Sequence, residues 1–190
     1  MLTSVQSLLG NRQVGVVDTE NQKLIVPLSY SAITFQKYGI IAHNADGYSD
    51  IYQFDGSCIL ARAKNPLLLD GGFVIASDSS GQCYIFYIAH GKPKALIKGG
   101  FESILFYFGT KPDPIIYNSA LDLSQLFLGP DYLENGVHFD RYICASRNGY
   151  WGVINRDTGK IAYDFNALKI IQSKGSQLVI SGKNGLIEML

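Results

Sequence analysis

The residues of this chain best suited to chemistry are the acidic side chains that gather between positions 113 and 140. They are Asp113, Asp122, Asp131, Glu134 and Asp140, with His138 among them. Hydrolysis of a glycosidic bond requires two carboxyl groups held on opposite sides of a cleft. Acidic residues in a polar loop are usually solvated, so a hydrolase site in region 113–140 is an alternative and not the first prediction. As a binding surface, the same region would present Asp113, Tyr132, Glu134, His138 and Asp140.

Other patterns that could support catalysis are absent from the sequence. His43, His90 and His138 are almost evenly spaced, but they occupy non-equivalent places relative to the strands, so we expect solvated histidines and no metal site. No Gly-x-Ser-x-Gly motif and no phosphate-binding glycine loop occur. We therefore predict no catalytic residue, no metal and no cofactor.

The composition excludes several classes of partner. Sixteen basic and sixteen acidic residues give a net charge of zero, and no concentrated basic face stands out. Binding to nucleic acid or to an anionic membrane needs such a face, so we expect neither. No signal peptide and no long apolar segment is evident, which favours the cytoplasm. Cys58, Cys83 and Cys144 lie in apparent strands and are predicted to be buried free thiols.

Residues 142–163 predict three short strands joined by two tight turns. Asn148-Gly149 is a strong signal for a two-residue hairpin, because such a turn needs positive φ at both central positions. Asp157-Thr158-Gly159 provides the second turn. A three-stranded sheet of this size cannot bury its apolar face alone, so it must stack on a neighbour.

Weaker copies of this unit recur along the chain with a period near 34. With Gly152 as a marker, the counterparts are Gly15, Asp50, Tyr84 and Gly185. An aromatic residue also recurs between units, at Tyr30, Phe101 and Phe165, where it would fill the gap between neighbouring sheets. A period held along a chain is typical of repeat architectures.

We therefore predict an all-β fold of about six three-stranded antiparallel meanders in a single domain, residues 1–190. The approximate units are 1–34, 35–69, 70–105, 106–138, 139–172 and a truncated 173–190. A propeller-like arrangement would hide the sheet edges. The alternative is an open, curved array, whose unpaired terminal strand could pair with a second copy of the chain.

The run from Gly149 to Lys160 resembles the WG-repeat family, in which glycine, tryptophan and glycine precede an apolar strand and a turn that ends in glycine-lysine. Trp151, Gly152 and Gly159 match that motif, and Gly15 matches it in a second copy where Val14 replaces the tryptophan. The resemblance implies an all-β repeat domain, commonly propeller-like, in bacterial proteins. Because the family motif is structural, it implies no catalytic residue.

The function predicted from these features is a non-enzymatic interaction module that presents loops from a rigid β scaffold. A protein or peptide is the first choice of partner. A lectin-like binder is an alternative, in which tyrosines would stack on sugars. The tyrosines that could do so include Tyr38, Tyr48, Tyr84, Tyr107 and Tyr132. The hydrolase remains the second alternative.

Overall fold

The chain forms antiparallel β-sheet in a computed structural model that describes residues 1–7, 13–89, 92–108, 114–121, 136–173, 177–182 and 187–189. The prediction of an all-β fold is confirmed. The described residues contain no helix, and hence none that could cross a membrane. Their strands are β1 (Leu2–Gln6), β2 (Val14–Asp18), β3 (Lys23–Tyr30), β4 (Ala32–Gln36), β5 (Gly39–His43), β6 (Ser49–Tyr52), β7 (Cys58–Leu69), β8 (Phe73–Ser77), β9 (Cys83–Ala89), β10 (Lys92–Ala95), β11 (Ser103–Phe108), β12 (Ile115–Tyr117), β13 (Val137–His138), β14 (Tyr142–Arg147), β15 (Tyr150–Asn155), β16 (Ile161–Ser173), β17 (Gln177–Gly182) and β18 (Ile187–Met189).

These strands make three antiparallel sheets, in which most neighbours are also consecutive in the chain. The first sheet has the order β1-β2-β3. The second runs without interruption from β4 to β10. The third has the order β12-β11-β14-β15-β16-β17-β18, and β13 pairs with β11 beside that path. Short connections between sequential strands favour this up-and-down topology.

Two long strands, β7 and β16, each join two of the predicted meanders. The first half of β7 pairs with β6 as far as Ala63, and the second half pairs with β8 from Lys64 onward. Arg62 and Asn65 have left-handed backbone conformations on either side of this change of partner, with φ of 55° and 46°. In β16 the change occurs at Ala167, which is paired on both sides. The last strand of one unit therefore continues into the next unit.

The middle strands are buried on both faces, which explains their uninterrupted apolar sequences. In β8, Phe73 and Ile75 belong to one core cluster, whereas Val74 and Ala76 belong to another. Since successive side chains of a strand point to opposite faces, a sheet packed on both sides needs apolar residues at every position. The second sheet is thus packed on both of its faces at β8.

Four core clusters join the units in chain order. The first packs the β1–β3 sheet against β5 and β6. The second packs β5, β6 and the start of β7 against the end of β7 and β8. The third connects β7–β9 with β11–β15, and the fourth connects β11, β14 and β15 with β16 and β17. Among the described residues, no cluster combines the β1–β3 sheet with β14–β18.

Three of the marker positions occupy equivalent places in the fold, whereas Gly185 lies outside the described residues. Gly15, Asp50 and Gly152 each lie opposite a bulge in the next strand, where the pairing register shifts. At Gly15 an added Cβ would lie 2.5 Å from the Val26 carbonyl oxygen, and at Gly152 it would lie 2.7 Å from the Phe165 ring. The two glycines therefore permit a close approach that a side chain would prevent.

The residues that precede the markers do not share one core. Cys83 is fully buried in the third cluster, whereas Trp151 is partly buried against the fourth. Val14 is also partly buried, in the first sheet. Each strand that carries a marker instead packs into the core cluster of its own part of the chain.

The predicted turns are confirmed by the backbone. Asn148 and Gly149 have φ of 54° and 74° between the paired residues Arg147 and Tyr150, as a primed two-residue turn requires. Gly159 has φ of 65° in the β15–β16 turn, where its N–H donates to the Asn155 carbonyl at 2.9 Å. Glycine at this position avoids the steric cost of a left-handed conformation.

The prediction for the cysteines is correct at two positions and wrong at the third. Cys83 and Cys144 are buried, and burial raises the pKa of their thiols to about 11 and about 12 respectively. Cys58 is exposed. It begins β7, six residues before that strand gains β8 as a second neighbour, so one side of it remains open.

His43 is a half-buried strand residue and not the solvated histidine expected from the sequence. Its Nε2 lies 2.9 Å from Thr34 Oγ1 and its Nδ1 lies 3.0 Å from Ser49 Oγ. Burial lowers the pKa of His43 below its ordinary value of 6.5. The folded state therefore favours the neutral imidazole.

This burial predicts a loss of stability in mild acid. Because the pKa of His43 is lower in the folded state, the unfolded chain binds a proton first, and the free energy of unfolding decreases as the pH falls below 6.5. Urea unfolding at pH 7.5 and pH 5.5 would measure this, with His43→Gln as a variant that cannot titrate. We expect a smaller decrease in His43→Gln than in the wild type. Equal decreases in the free energy of unfolding of the two proteins would contradict the assignment of this effect to His43.

Candidate functional site

A cavity of about 840 Å³ lies between the β7–β8 turn, β10, β13 and the β15–β16 turn. Its volume is within the range of sites that hold small ligands or short peptide segments. It is lined by Asp70, Gly71, Phe73, Tyr87, Lys94, Ala95, Leu96, His138, Phe139, Arg156, Asp157, Thr158 and Gly159.

Three aromatic rings form the apolar part of the cavity wall. Phe73 lies at the centre, with its ring centroid 5.2 Å from that of Tyr87 and 5.5 Å from that of Phe139. Phe73 and Phe139 are buried in the third core cluster, whereas Tyr87 is 41% exposed. Phe73 therefore supports Tyr87 directly and is itself backed by Phe139, and Tyr87 is the accessible ring of the three.

One side of the cavity is formed by the rigid turn that follows β15. Asn155 Oδ1 accepts hydrogen bonds from the backbone N–H groups of Asp157 and Thr158 at 3.1 and 2.9 Å. Arg156 donates from Nε to Asp157 Oδ1 at 3.1 Å and from a terminal nitrogen to the Phe139 carbonyl at 3.0 Å. This pairing fixes the guanidinium and balances the charge of Asp157.

The opposite side carries Asp70, which is bound into the structure through several atoms. Its backbone N–H donates to the Val137 carbonyl at 2.7 Å, and its Oδ2 lies 3.9 Å from Lys37 Nζ. Desolvation and a hydrogen bond to Asp70 raise the pKa of Tyr38. Asp70 Oδ1 is buried without a hydrogen bond and faces Gly136, so it is not offered to the cavity.

Lys94 provides the remaining charge on the wall. It lies on β10, directly opposite Tyr87 in the register of β9 and β10. It is exposed, and none of the residues described by the structure forms an ion pair or a hydrogen bond with its side chain. Within the described part of the chain, its ammonium group is therefore the one charge on the wall without a partner.

The structure includes only part of the site predicted from the sequence. His138 lines the cavity and stacks on Tyr107, with ring centroids 5.8 Å apart. Asp140 does not line it; its Oδ1 accepts a hydrogen bond from the backbone N–H of Arg141 at 2.7 Å. The remaining candidates lie outside the described residues: Asp113, Asp122, Asp131, Tyr132 and Glu134.

Sequence reasoning missed most of the cavity wall. Asp70, Tyr87, Lys94 and Arg156 come from three separate hairpins, and no motif links them. Gly159 was recognised as a structural turn residue, and it also lines the cavity. The one feature of the sequence that could have located the wall was the repeat itself. In a repeat array the turns of successive units lie on the same side, so residues from different turns can line one surface.

The tyrosines proposed for sugar stacking do not form a common exposed surface in the described part of the chain. Tyr38, Tyr48 and Tyr84 are partly buried, and Tyr107 is buried. Tyr132 lies outside the described residues. Tyr84 instead donates a hydrogen bond to Asp78 at 2.9 Å. Packing and hydrogen bonding account for these rings.

A metal site is not evident in the residues that the structure describes, because no three His, Cys, Asp or Glu side chains gather closely enough. The comparisons with known proteins give little further guidance. No family model and no curated protein matches the chain. Among solved structures, it is similar to the computationally designed Ika4 protein, with a TM-score of 0.35 and 14% identity over 84% of this chain and 90% of that one. A likeness at this level carries no argument about fold or function.

Proposed function

We propose that this chain is a non-enzymatic interaction module that binds a segment of another protein in the cavity. The observation that carries the proposal is the position of Tyr87, an exposed ring that packs on the buried ring of Phe73 at the side of a cavity of about 840 Å³. Aromatic anchors held in place by packed neighbours are typical of binding hot spots.

The polar groups of the cavity wall favour binding over catalysis. Thr158 is the aliphatic hydroxyl that lines it, and its Oγ1 donates to Asn155 Oδ1 at 3.0 Å. An activated nucleophile would instead donate to a general base. Arg156 and Asp157 bind each other. The wall therefore combines an accessible ring with charged groups at its edge, as a recognition surface does.

Selection of peptides from a random phage-displayed library would test the proposal. We expect the selected peptides to bind the wild-type chain and to bind the Tyr87→Ala variant about tenfold more weakly, because the variant removes the accessible anchor. Phe54→Ala is the matched control, since Phe54 is 44% exposed but lies in the β6–β7 turn away from the cavity. Affinities measured by fluorescence anisotropy would decide. Equal binding to all three proteins would contradict the proposal.

We also propose that about six meanders form an open, curved array and that the chain is a divergent WG-repeat protein. Two features support this. The core clusters follow chain order, and Gly15 and Gly152 occupy equivalent positions opposite bulges. Small-angle X-ray scattering should give an elongated particle, whereas a closed propeller would give a compact one.

Two further expectations from the sequence remain proposals. The first is that a terminal strand pairs with a second copy of the chain, which the molar mass from light scattering would check. The second is a reducing cytoplasmic setting. It is supported by three cysteines that are unpaired and lie on different strands.

A further inference from the structure

We propose that the cavity selects a peptide segment in which a carboxylate lies next to an apolar or aromatic side chain. This inference rests on the proposed function and specifies the chemistry of its ligand. It follows from two observations: which charges on the wall are already neutralised, and which side chains are aligned across the sheet.

The first observation concerns charge. Asp157 is paired with Arg156 at 3.1 Å, and Asp70 lies 3.9 Å from Lys37. Lys94 has no such partner within the described part of the chain. The uncompensated formal charge on the described wall is therefore one positive charge, and electrostatic complementarity favours an anionic group in the ligand.

The second observation concerns alignment. Phe73 is directly opposite Tyr87 in the pairing of β8 with β9, and Tyr87 is directly opposite Lys94 in the pairing of β9 with β10. All three side chains line the cavity, so they form one row across three adjacent strands. Neighbouring strands lie about 4.8 Å apart. The ammonium group and the exposed ring are therefore within reach of two adjacent residues of a ligand.

The same row argues against a cationic ligand. A cation placed on Tyr87 would lie beside the ammonium group of Lys94, which has no partner among the described residues. The carboxylate oxygen that lacks a hydrogen bond, Asp70 Oδ1, is buried against Gly136, so a cation on Tyr87 would have no direct contact with it. A ligand that places an anionic group at Lys94 and an apolar group on Tyr87 is complementary to both side chains.

Two capped dipeptides that differ in one charge would test the inference. The probes are N-acetyl-phenylalanyl-glutamic acid amide and its glutamine counterpart, titrated to about 10 mM at pH 7. Backbone amide shifts of Tyr87, Lys94 and Gly159 would report binding in the ¹⁵N-labelled chain. We expect the glutamate probe to bind about fivefold more tightly than the glutamine probe, and the preference to weaken with added salt.

Variants of two lysines assign the preference. Lys94→Gln should remove it, whereas Lys23→Gln should keep it, since Lys23 is exposed on β3 and does not line the cavity. A preference that survives in Lys94→Gln would overturn the inference and leave Lys94 as a charge that protects the edge strand β10 from association. If both probes bind equally well and neither binds Tyr87→Ala, the inference about charge is overturned but the proposed function stands. If neither probe shifts the cavity amides, both proposals fail.

Discussion

Replacing Gly152 with alanine should lower the free energy of unfolding by about 2–3 kcal/mol, as overpacking of a filled interior does. The added Cβ would lie 2.7 Å from two carbons of the Phe165 ring, and that ring is held against Phe101. Either the ring or the strand must move. Urea unfolding followed by the fluorescence of Trp151, the adjacent residue, would measure the loss.

A second substitution identifies the cause of this loss. In a Phe165→Ala background the ring is absent, so Gly152→Ala should cost much less than in the wild type. At Gly15 no such relief is available, because the added Cβ would lie 2.5 Å from a backbone oxygen. Gly47→Ala is the control for left-handed geometry alone: it has φ of 82° and no atom within 4 Å, and it should cost about 1 kcal/mol. A cost at Gly152 no greater than at Gly47 would refute the steric explanation.

Truncation of Phe101 to alanine should lower the free energy of unfolding by about 3–5 kcal/mol, the range typical of large core aromatics. Phe101 is 1% exposed and stacks on Phe165 with ring centroids 5.8 Å apart. The Arg147 guanidinium carbon lies 4.9 Å from the centroid of each ring. The residue thus fills the gap between neighbouring units, as the recurrence of aromatics in the sequence predicts.

Arg147→Met separates the cation from the apolar contact at this junction. The variant keeps an apolar chain but loses the hydrogen bonds to the Gly100 and Lys98 carbonyls at 3.1 and 3.2 Å, so we expect a smaller cost of about 1–3 kcal/mol. Phe35→Ala provides a control at a ring that is 37% exposed. Chemical denaturation of all three variants would give the order Phe101, Arg147, Phe35. A cost for Phe101→Ala close to that for Phe35→Ala would contradict its role in joining the units.

The hairpins and their turns were predictable because their causes are local. Positive φ at Asn148 and Gly149 follows from the conformational freedom of those two residue types, and the strands on either side follow from apolar and β-branched composition. The marker glycines were recognised as a repeated feature, although the sequence did not reveal why they recur. Their reason is a bulge in the neighbouring strand, some ten or more residues further along the chain.

The joining of units through β7 was not predictable in the same way. Arg62 adopts a left-handed conformation that its residue type does not favour, and its backbone N–H donates to Asp50 Oδ1 at 2.7 Å. A contact with the preceding strand thus helps to hold the conformation there. Local sequence preferences carry no information about such a contact.

The fold class was predictable from the sequence because strand composition and turn chemistry act over a few residues. Which residues line the cavity depends on the tertiary structure. Phe73, Tyr87 and Lys94 become one row through the register of three strands, and Arg156 reaches the same cavity from a turn about sixty residues later. The register of the strands and the packing of the sheets depend on contacts between residues that are distant in the sequence. The apolar pattern of one strand does not specify which strand lies beside it. The acidic region between 113 and 140 is a candidate because of its composition. The residues of the cavity, in contrast, form no motif in the sequence and come together only when the strands pack.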